Sequence, residues 1–431
     1  MKKIYLLFIF FIFLVGCSPS AEGHITQTSR TATDNATLWT RTPTTTATYT
    51  ITPYPTQTET PKPTFTPTNT RTPTITPTFT PTPYWNQALR IISEDNAADI
   101  SLVNNWEIGD SNYETSALVF SPDSSILAVA GTEVNWTTGH EYNPRLELWR
   151  VKDKTLLFNL KGHSDYIRAL AFSFDGSILA SGSNDGTVRI WNVWEGTCEQ
   201  TLVFGDDVSS VAFSPNGHYL AAGTSQGYIR IYNVADWALL QRKYFGGQHP
   251  SWATSLEFSP DSQNIAVTMI NYAVLVMKVS DGSVIQQLPK EWTFYTGISY
   301  SPDGSFLIVG YGKQIPVDQL HTDFEWGVIY WDLRGDIISQ KVTGFQFLVD
   351  IVFTADGKVM IPLSYQEDKV GLFRVSDITL LTTIDVKEIV EKEEILPAES
   401  HFGMGGMPIS PDGRLIVTGI AGGMLLFWGV K

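Results

Sequence analysis

Between Ile167 and Trp191 the chain alternates apolar and polar residues in three short runs, Ile167 to Phe172, Ser177 to Gly182 and Thr187 to Trp191. A period of two predicts half-buried strands. Two turns separate them, Phe174-Asp175-Gly176 and Asn184-Asp185-Gly186. Asp-Gly favours a tight reversal, because Gly accepts positive φ and the Asp side chain bonds nearby backbone. A further run from Cys198 to Phe204 completes a four-stranded meander. The first turn recurs as Phe120-Ser-Pro-Asp123, Phe172-Ser-Phe-Asp175, Phe213-Ser-Pro-Asn216 and Phe258-Ser-Pro-Asp261. It continues as Tyr300-Ser-Pro-Asp303, Phe353-Thr-Ala-Asp356 and Ile409-Ser-Pro-Asp412. The intervals are 52, 41, 45, 42, 53 and 56 residues. Each copy leads into a β-rich run ending on a bulky residue, in turn Trp149, Trp191, Tyr232, Met277, Trp331, Phe373 and Trp428. One such meander cannot bury both its faces, so the repeats are expected to pack on one another.

The second copy carries more than a pattern. It holds Gly162-His163, Ser173-Phe174-Asp175-Gly176, Leu179-Ala180-Ser181-Gly182-Ser183, Asp185 and Trp191-Asn192. This segment resembles one blade of the WD-repeat (Trp-Asp repeat) β-propeller family, with Asn192 where Asp is usual. The resemblance implies an all-β fold, a seven-bladed β-propeller of four-stranded blades. It also implies that His163, Ser181, Asp185 and Trp191 form a structural tetrad bracing blade two. The same His, Ser and Asp could be read as a hydrolase triad, but the tetrad accounts for them. Blade five keeps a literal Trp331-Asp332, and the other blades have drifted.

The last copy ends too soon for a fourth strand, since only Gly429, Val430 and Lys431 follow Trp428. In the family an N-terminal strand closes the ring. Ile100 to Ile108 is expected to pair with Met424 to Val430, which removes two open sheet edges. Three stretches are enlarged: Gly131 to Pro144, Tyr311 to Gly327 and Lys387 to Met407. Family topology puts all three at the same end of the ring. Trp136, Tyr142, Trp252, Trp292, Tyr295, Phe324, Trp326, His401 and Phe402 fall in or near them and form the candidate partner-binding face. Aromatic side chains there offer large contact area at low entropic cost.

The first 84 residues have a different composition. Residues 1–16 read as a signal peptide, with Lys2 and Lys3 ahead of an apolar run from Ile4 to Val15. That run is shorter than the roughly 20 residues a transmembrane helix needs. Leu14-Val15-Gly16-Cys17 resembles the bacterial lipobox, which implies lipidation at Cys17 and a membrane-anchored, extracytoplasmic protein. Ten prolines lie between Pro43 and Pro83, amid many threonines. Residues 17–84 are therefore expected to be a disordered, polyproline-II-like stalk, and residues 85–431 the propeller.

Charge narrows the partners. Of 29 Lys and Arg and 44 Asp and Glu, 6 and 3 lie in residues 1–84, which leaves 85–431 with a net of −18. Such a surface repels phosphate backbones and argues against nucleic acid. The sequence holds no phosphate loop, dinucleotide fingerprint or His-Glu-x-x-His. Its seven His lack metal-ligand spacing. No cofactor, metal or catalytic residue is expected. The expected function is a monomeric, non-catalytic protein-interaction platform. A carbohydrate-binding module is one alternative. A propeller hydrolase using His140, Glu141, Asp318, His321 or Asp323 is another.

Overall fold

The computed structural model describes residues 89–431 except 110–111, 136–139, 246–251, 271–272, 289–293, 317–321, 336, 342–347, 365–368, 394, 396–405 and 421. Its strands form seven antiparallel sheets, the blades of a β-propeller. Blade two comprises Ile167–Phe172, Ile178–Ser183, Thr187–Asn192 and Thr197–Val203, each paired with the next. The predicted strand boundaries therefore hold to within one residue or so. Blades one, three, four, five and six repeat this order. The first strands of successive blades touch around a ring that closes between Tyr113–Phe120 of blade one and Ile416–Ile420 of blade seven.

The seven first turns share one hydrogen-bond clip. In each, a Ser or Thr hydroxyl donates to the Asp or Asn two residues on, at 2.5–2.7 Å. The same oxygen accepts the backbone N–H five residues on, at 2.9–3.1 Å. The clip explains why a Ser or Thr recurs two residues before an Asp or Asn: it satisfies buried backbone at every blade entry. The turn then needs a left-handed residue. Five copies use Gly, but Ser124 and Ser262 both take φ of 60°. Their hydroxyls compensate by accepting backbone N–H groups from the adjoining blade, Asp412 at 3.2 Å and Asn216 at 3.1 Å.

The core lies between blades. Among the described residues it divides into seven apolar clusters, and each spans two adjacent blades. Ala128 and Leu146 of blade one, for example, pack with Ile167, Leu179 and Trp191 of blade two. The bulky residue ending each third strand faces the preceding blade. Trp191, Tyr232, Met277, Trp331, Phe373 and Trp428 are all buried there, and Trp149 packs half-buried against the cluster joining blades seven and one.

Blade seven is completed from the other end of the sequence. Ser101–Glu107 pairs antiparallel with Met424–Gly429, from Ser101 opposite Gly429 to Glu107 opposite Met424. A single bridge between Ile409 and Ile416 stands in for the innermost strand. The lead-in to the closing strand is structured as well. Arg90 N–H donates to Val430 O at 2.8 Å, Ile92 N–H to Gly413 O at 2.8 Å, and Arg414 Nη1 to Leu89 O at 2.8 Å. Ile92 and Ala97 are fully buried between blades six and seven. The acidic connection before blade seven contains an unanticipated short helix, Val386–Lys392, N-capped by Asp385, which accepts Glu388 N–H at 3.0 Å.

Candidate functional site

The predicted tetrad forms as a continuous chain of hydrogen bonds. Trp191 Nε1 donates to Ser181 Oγ at 2.8 Å, and Ser181 Oγ lies 2.7 Å from His163 Nε2. His163 Nδ1 lies 2.8 Å from Asp185 Oδ2. Asp185 also accepts from Thr187 Oγ1 at 2.6 Å and from Ser164 N–H at 3.1 Å. Burial pushes the His163 imidazole below its ordinary value, more than the Asp185 carboxylate raises it. The neutral ring therefore donates through Nδ1 and accepts through Nε2. Burial pushes Asp185 up, but hydrogen bonds from Thr187 and His163 outweigh it and hold the carboxyl low. The contacts are those of a nucleophilic triad, but access differs. Ser181 is fully buried and already engaged by Trp191, so its oxygen is not presented to a substrate.

Two other blades solve the same problem with different residues. In blade seven, Trp428 Nε1 donates to Thr418 Oγ1 at 3.0 Å. In blade one the strand-two position is Val129, which has no hydroxyl, and Trp149 Nε1 turns to Glu147 Oε2 at 3.0 Å. Glu147 is fully buried and also ion-paired to Arg145. The Arg145 guanidinium lies 4.7 Å from the centre of the Tyr113 ring. Burial pushes the Tyr113 phenol up, and the Glu147 charge adds to it.

The end of the ring that carries the connections between second and third strands is where two blades are enlarged. Blade one extends Ile126–Asn135 and His140–Arg150, and blade five extends Phe306–Pro316 and Thr322–Asp332. Both run as paired strands, with a register shift between Gly131 and Glu133 in blade one, where the sequence suggested loops. That changes the standing of several expected face residues. Tyr295 is 1% exposed and packs in the core between blades four and five. Trp326 is 7% exposed and lies against Gly312, its cross-strand partner, where any Cβ would collide with the indole. Both are packing residues, because strand periodicity turns them inward. Phe324 remains half-buried, with its ring 5.7 Å from Phe294 and 6.1 Å from Trp326. Tyr142 lies on a described strand opposite Glu133. Trp136, Trp292, His401, Phe402 and the lipidation candidate Cys17 lie outside the described residues.

Trp252 is the expected face residue with the most informative surroundings. It immediately precedes the innermost strand of blade four, Ala253–Phe258. Arg168, on the innermost strand of blade two, places its guanidinium carbon 5.2 Å from the Trp252 ring and 5.2 Å from the Tyr166 ring. Its Nε donates to Asn184 Oδ1 at 2.5 Å. Burial raises the nearby Asp207 carboxyl, and the Arg168 charge opposes that rise. A cation held between two aromatic rings thus links blades two and four across blade three. Among the described residues no group of three or more His, Cys, Asp or Glu is placed to hold a metal. Of the carboxylate and His residues weighed for hydrolysis, Asp318 and His321 lie outside the described residues. Asp323 is exposed and accepts the N–H of Phe324.

Comparison with known proteins agrees with this architecture. Residues 154–192 and 196–233 match the family model "WD domain, G-beta repeat". An 88-residue stretch, 20% of the chain, is 32% identical to the target of rapamycin complex subunit wat1 of Schizosaccharomyces pombe. A 51-residue stretch, 12% of the chain, is 41% identical to small ribosomal subunit protein RACK1y of Oryza sativa subsp. japonica. These stretches span 24% and 15% of the two relatives. In structure the chain is similar to Kuenenia stuttgartiensis hydrazine synthase, with a TM-score of 0.57, 14% identity, and coverage of 71% of this chain and 92% of that one. At that identity the likeness speaks to fold alone. The two matched repeats, the relatives and the seven blades together support a WD-repeat β-propeller family for this chain.

Proposed function

We propose that this protein is a non-catalytic interaction platform that binds a protein partner through the end of the ring carrying Trp252, Arg168 and Phe324. One observation carries the reading: the Arg168 guanidinium sits between Tyr166 and Trp252, on the end of the ring where two hairpins are enlarged. Arg and Trp are the side chains that most often anchor protein interfaces. The polar group that most resembles a catalytic apparatus is instead consumed inside blade two. Two relatives are subunits of larger assemblies by name, which agrees with a scaffold role.

The same proposal includes an anchor. Cys17 at the end of the apolar N-terminal run would carry lipid, and the Thr- and Pro-rich residues after it would hold the propeller away from an outer membrane face. Two experiments separate these parts. Growth with an alkyne-tagged fatty acid should label the parent and leave the Cys17→Ser variant unlabelled. Equal labelling of both would remove the anchor. For the face, the full chain and an Arg168→Ala/Trp252→Ala variant are used to capture proteins from envelope extract. A partner held by the parent should be lost from a variant of unchanged melting temperature. Retention by both would move the binding site elsewhere.

A further inference from the structure

A cleft of about 480 Å³ opens on blade three, where the end of blade two's outer strand meets Tyr228–Asn233 and Leu239–Tyr244; it does not include Arg168, Trp252 or Phe324. Its walls include Phe204, Asp206, Tyr228, Arg230, Arg242 and Tyr244. The register makes the array specific: Tyr228 is paired with Tyr244, and Arg230 with Arg242, directly across the two strands. All four side chains therefore share one face of the sheet, the face toward blade two. The tyrosine rings lie 4.7 Å apart. Arg242 covers the Tyr228 ring at 5.0 Å, and Arg230 covers Phe204 at 4.3 Å.

Two arginines directly opposite each other repel, and such pairs normally cost stability. Here neither is ion-paired to a described carboxylate. Arg230 donates to the carbonyls of Val203 at 2.9 Å and Phe204 at 3.2 Å, which fixes its plane. Its Nε is buried with no hydrogen-bond partner. The one carboxylate in the wall, Asp206, is occupied by Ser225 Oγ at 3.0 Å and Gln226 N–H at 3.2 Å. The unsatisfied groups of the cleft are thus cationic donors backed by aromatic rings, on a chain whose net charge is −15.

We infer that this cleft binds a carboxylate of an acidic peptide segment, with the carboxylate between Arg230 and Arg242 and a neighbouring apolar side chain on the tyrosines. Paired guanidinium groups suit the planar, bidentate geometry of a carboxylate. Val203, 70% exposed, precedes the lining residue Phe204 and offers a further apolar neighbour to the cleft, which favours peptide over an acidic sugar.

The test uses the full chain and a fluorescently labelled peptide, Gly-Phe-Glu-Glu-Phe-Gly, followed by anisotropy. Its counterpart with Gln for Glu should bind about tenfold or more weakly, since a charge-assisted bond is lost. Arg242→Gln should weaken the Glu peptide similarly without moving the melting temperature, because Arg242 is exposed. The Arg168→Ala/Trp252→Ala variant should bind the peptide as the parent does, since neither residue lines the cleft, which separates the two sites. Equal binding of the Glu and Gln peptides would overturn the inference, as would insensitivity to Arg242→Gln. Tighter binding of digalacturonate or inorganic phosphate than of the peptide would overturn the peptide assignment.

Discussion

A chain lacking residues 1–108 melts well below the parent and aggregates on heating, because the ring opens. The loss is larger than one strand suggests. The cluster between blades seven and one loses Leu89, Trp106 and Ile108, and the cluster between blades six and seven loses Ile92 and Ala97. Met424–Gly429 then presents a bare edge, with Phe427 and Trp428 beside it. Such an edge is a template for pairing with other copies. A point substitution isolates the packing part. Trp106 is 3% exposed, with its ring 4.3 Å from Phe427, so Trp106→Ala should cost about 3–5 kcal/mol. Blade one also grips this strand, through Lys154 Nζ to Asn104 Oδ1 and Asn105 O, each at 3.0 Å. Lys154→Ala should cost much less than Trp106→Ala, being an exposed contact. Calorimetry on the three proteins orders them. Melting of the truncated chain at the parent's temperature would show that the ring holds without its closing strand.

Breaking the tetrad of blade two should produce the second large effect, with a particular pH dependence. Asp185→Ala leaves His163 Nδ1, Ser164 N–H and Thr187 Oγ1 without their acceptor. The expected cost is about 3 kcal/mol, the order of a disrupted buried network. The pH dependence follows from protonation in the two states. His163 titrates lower when folded, so below about pH 6.5 the unfolded chain binds the extra proton first. Its contribution is complete above that pH and is lost as pH falls toward the folded value. Asp185 and the turn carboxylates Asp123 and Asp175 also titrate low when folded. Their contribution is complete above about pH 4 and is lost in more acid solution. Urea unfolding at pH 7.5 and pH 5.5 should show the parent weakening between the two. His163→Gln should be less stable than the parent at pH 7.5 yet lose less on acidification. An equal loss in both proteins would mean that His163 does not carry the pH response.

Much of this fold is legible in the chain because its information is local. Each entry turn, a Ser or Thr two residues before an Asp or Asn, is a six-residue hydrogen-bond device, and each third strand ends on the residue that plugs the preceding interface. The closing strand was legible for a different reason: seven entry turns and only a short run after Trp428 leave one strand owing. The site was harder. Tyr295 and Trp326 looked like loop aromatics, but the strands of blade five continue past the usual length, so that Tyr295 joins the core between blades four and five and Trp326 packs against Gly312. The Arg168–Trp252 stack joins residues two blades apart and leaves no local trace. The tyrosine–arginine cleft sits between these cases. Tyr228-x-Arg230 and Arg242-x-Tyr244 are visible at period two. Only the hairpin register, with its shift near Tyr232, sets like against like.

Closure by the earliest strand also fixes a timetable. On the ribosome Ser101–Glu107 is made before any blade, and its partner Met424–Gly429 is made after all the others. Six blades can assemble from neighbouring strands as they emerge. The seventh must wait for two segments separated by nearly the whole chain, a pairing of high loop-closure entropy and slow formation. Until then the nascent protein is an open arc with an unpaired strand at its start and a growing edge at its end. Its most vulnerable period therefore lasts until Met424–Gly429 has been made, and a chaperone covering the early strand would be of greatest use up to that point.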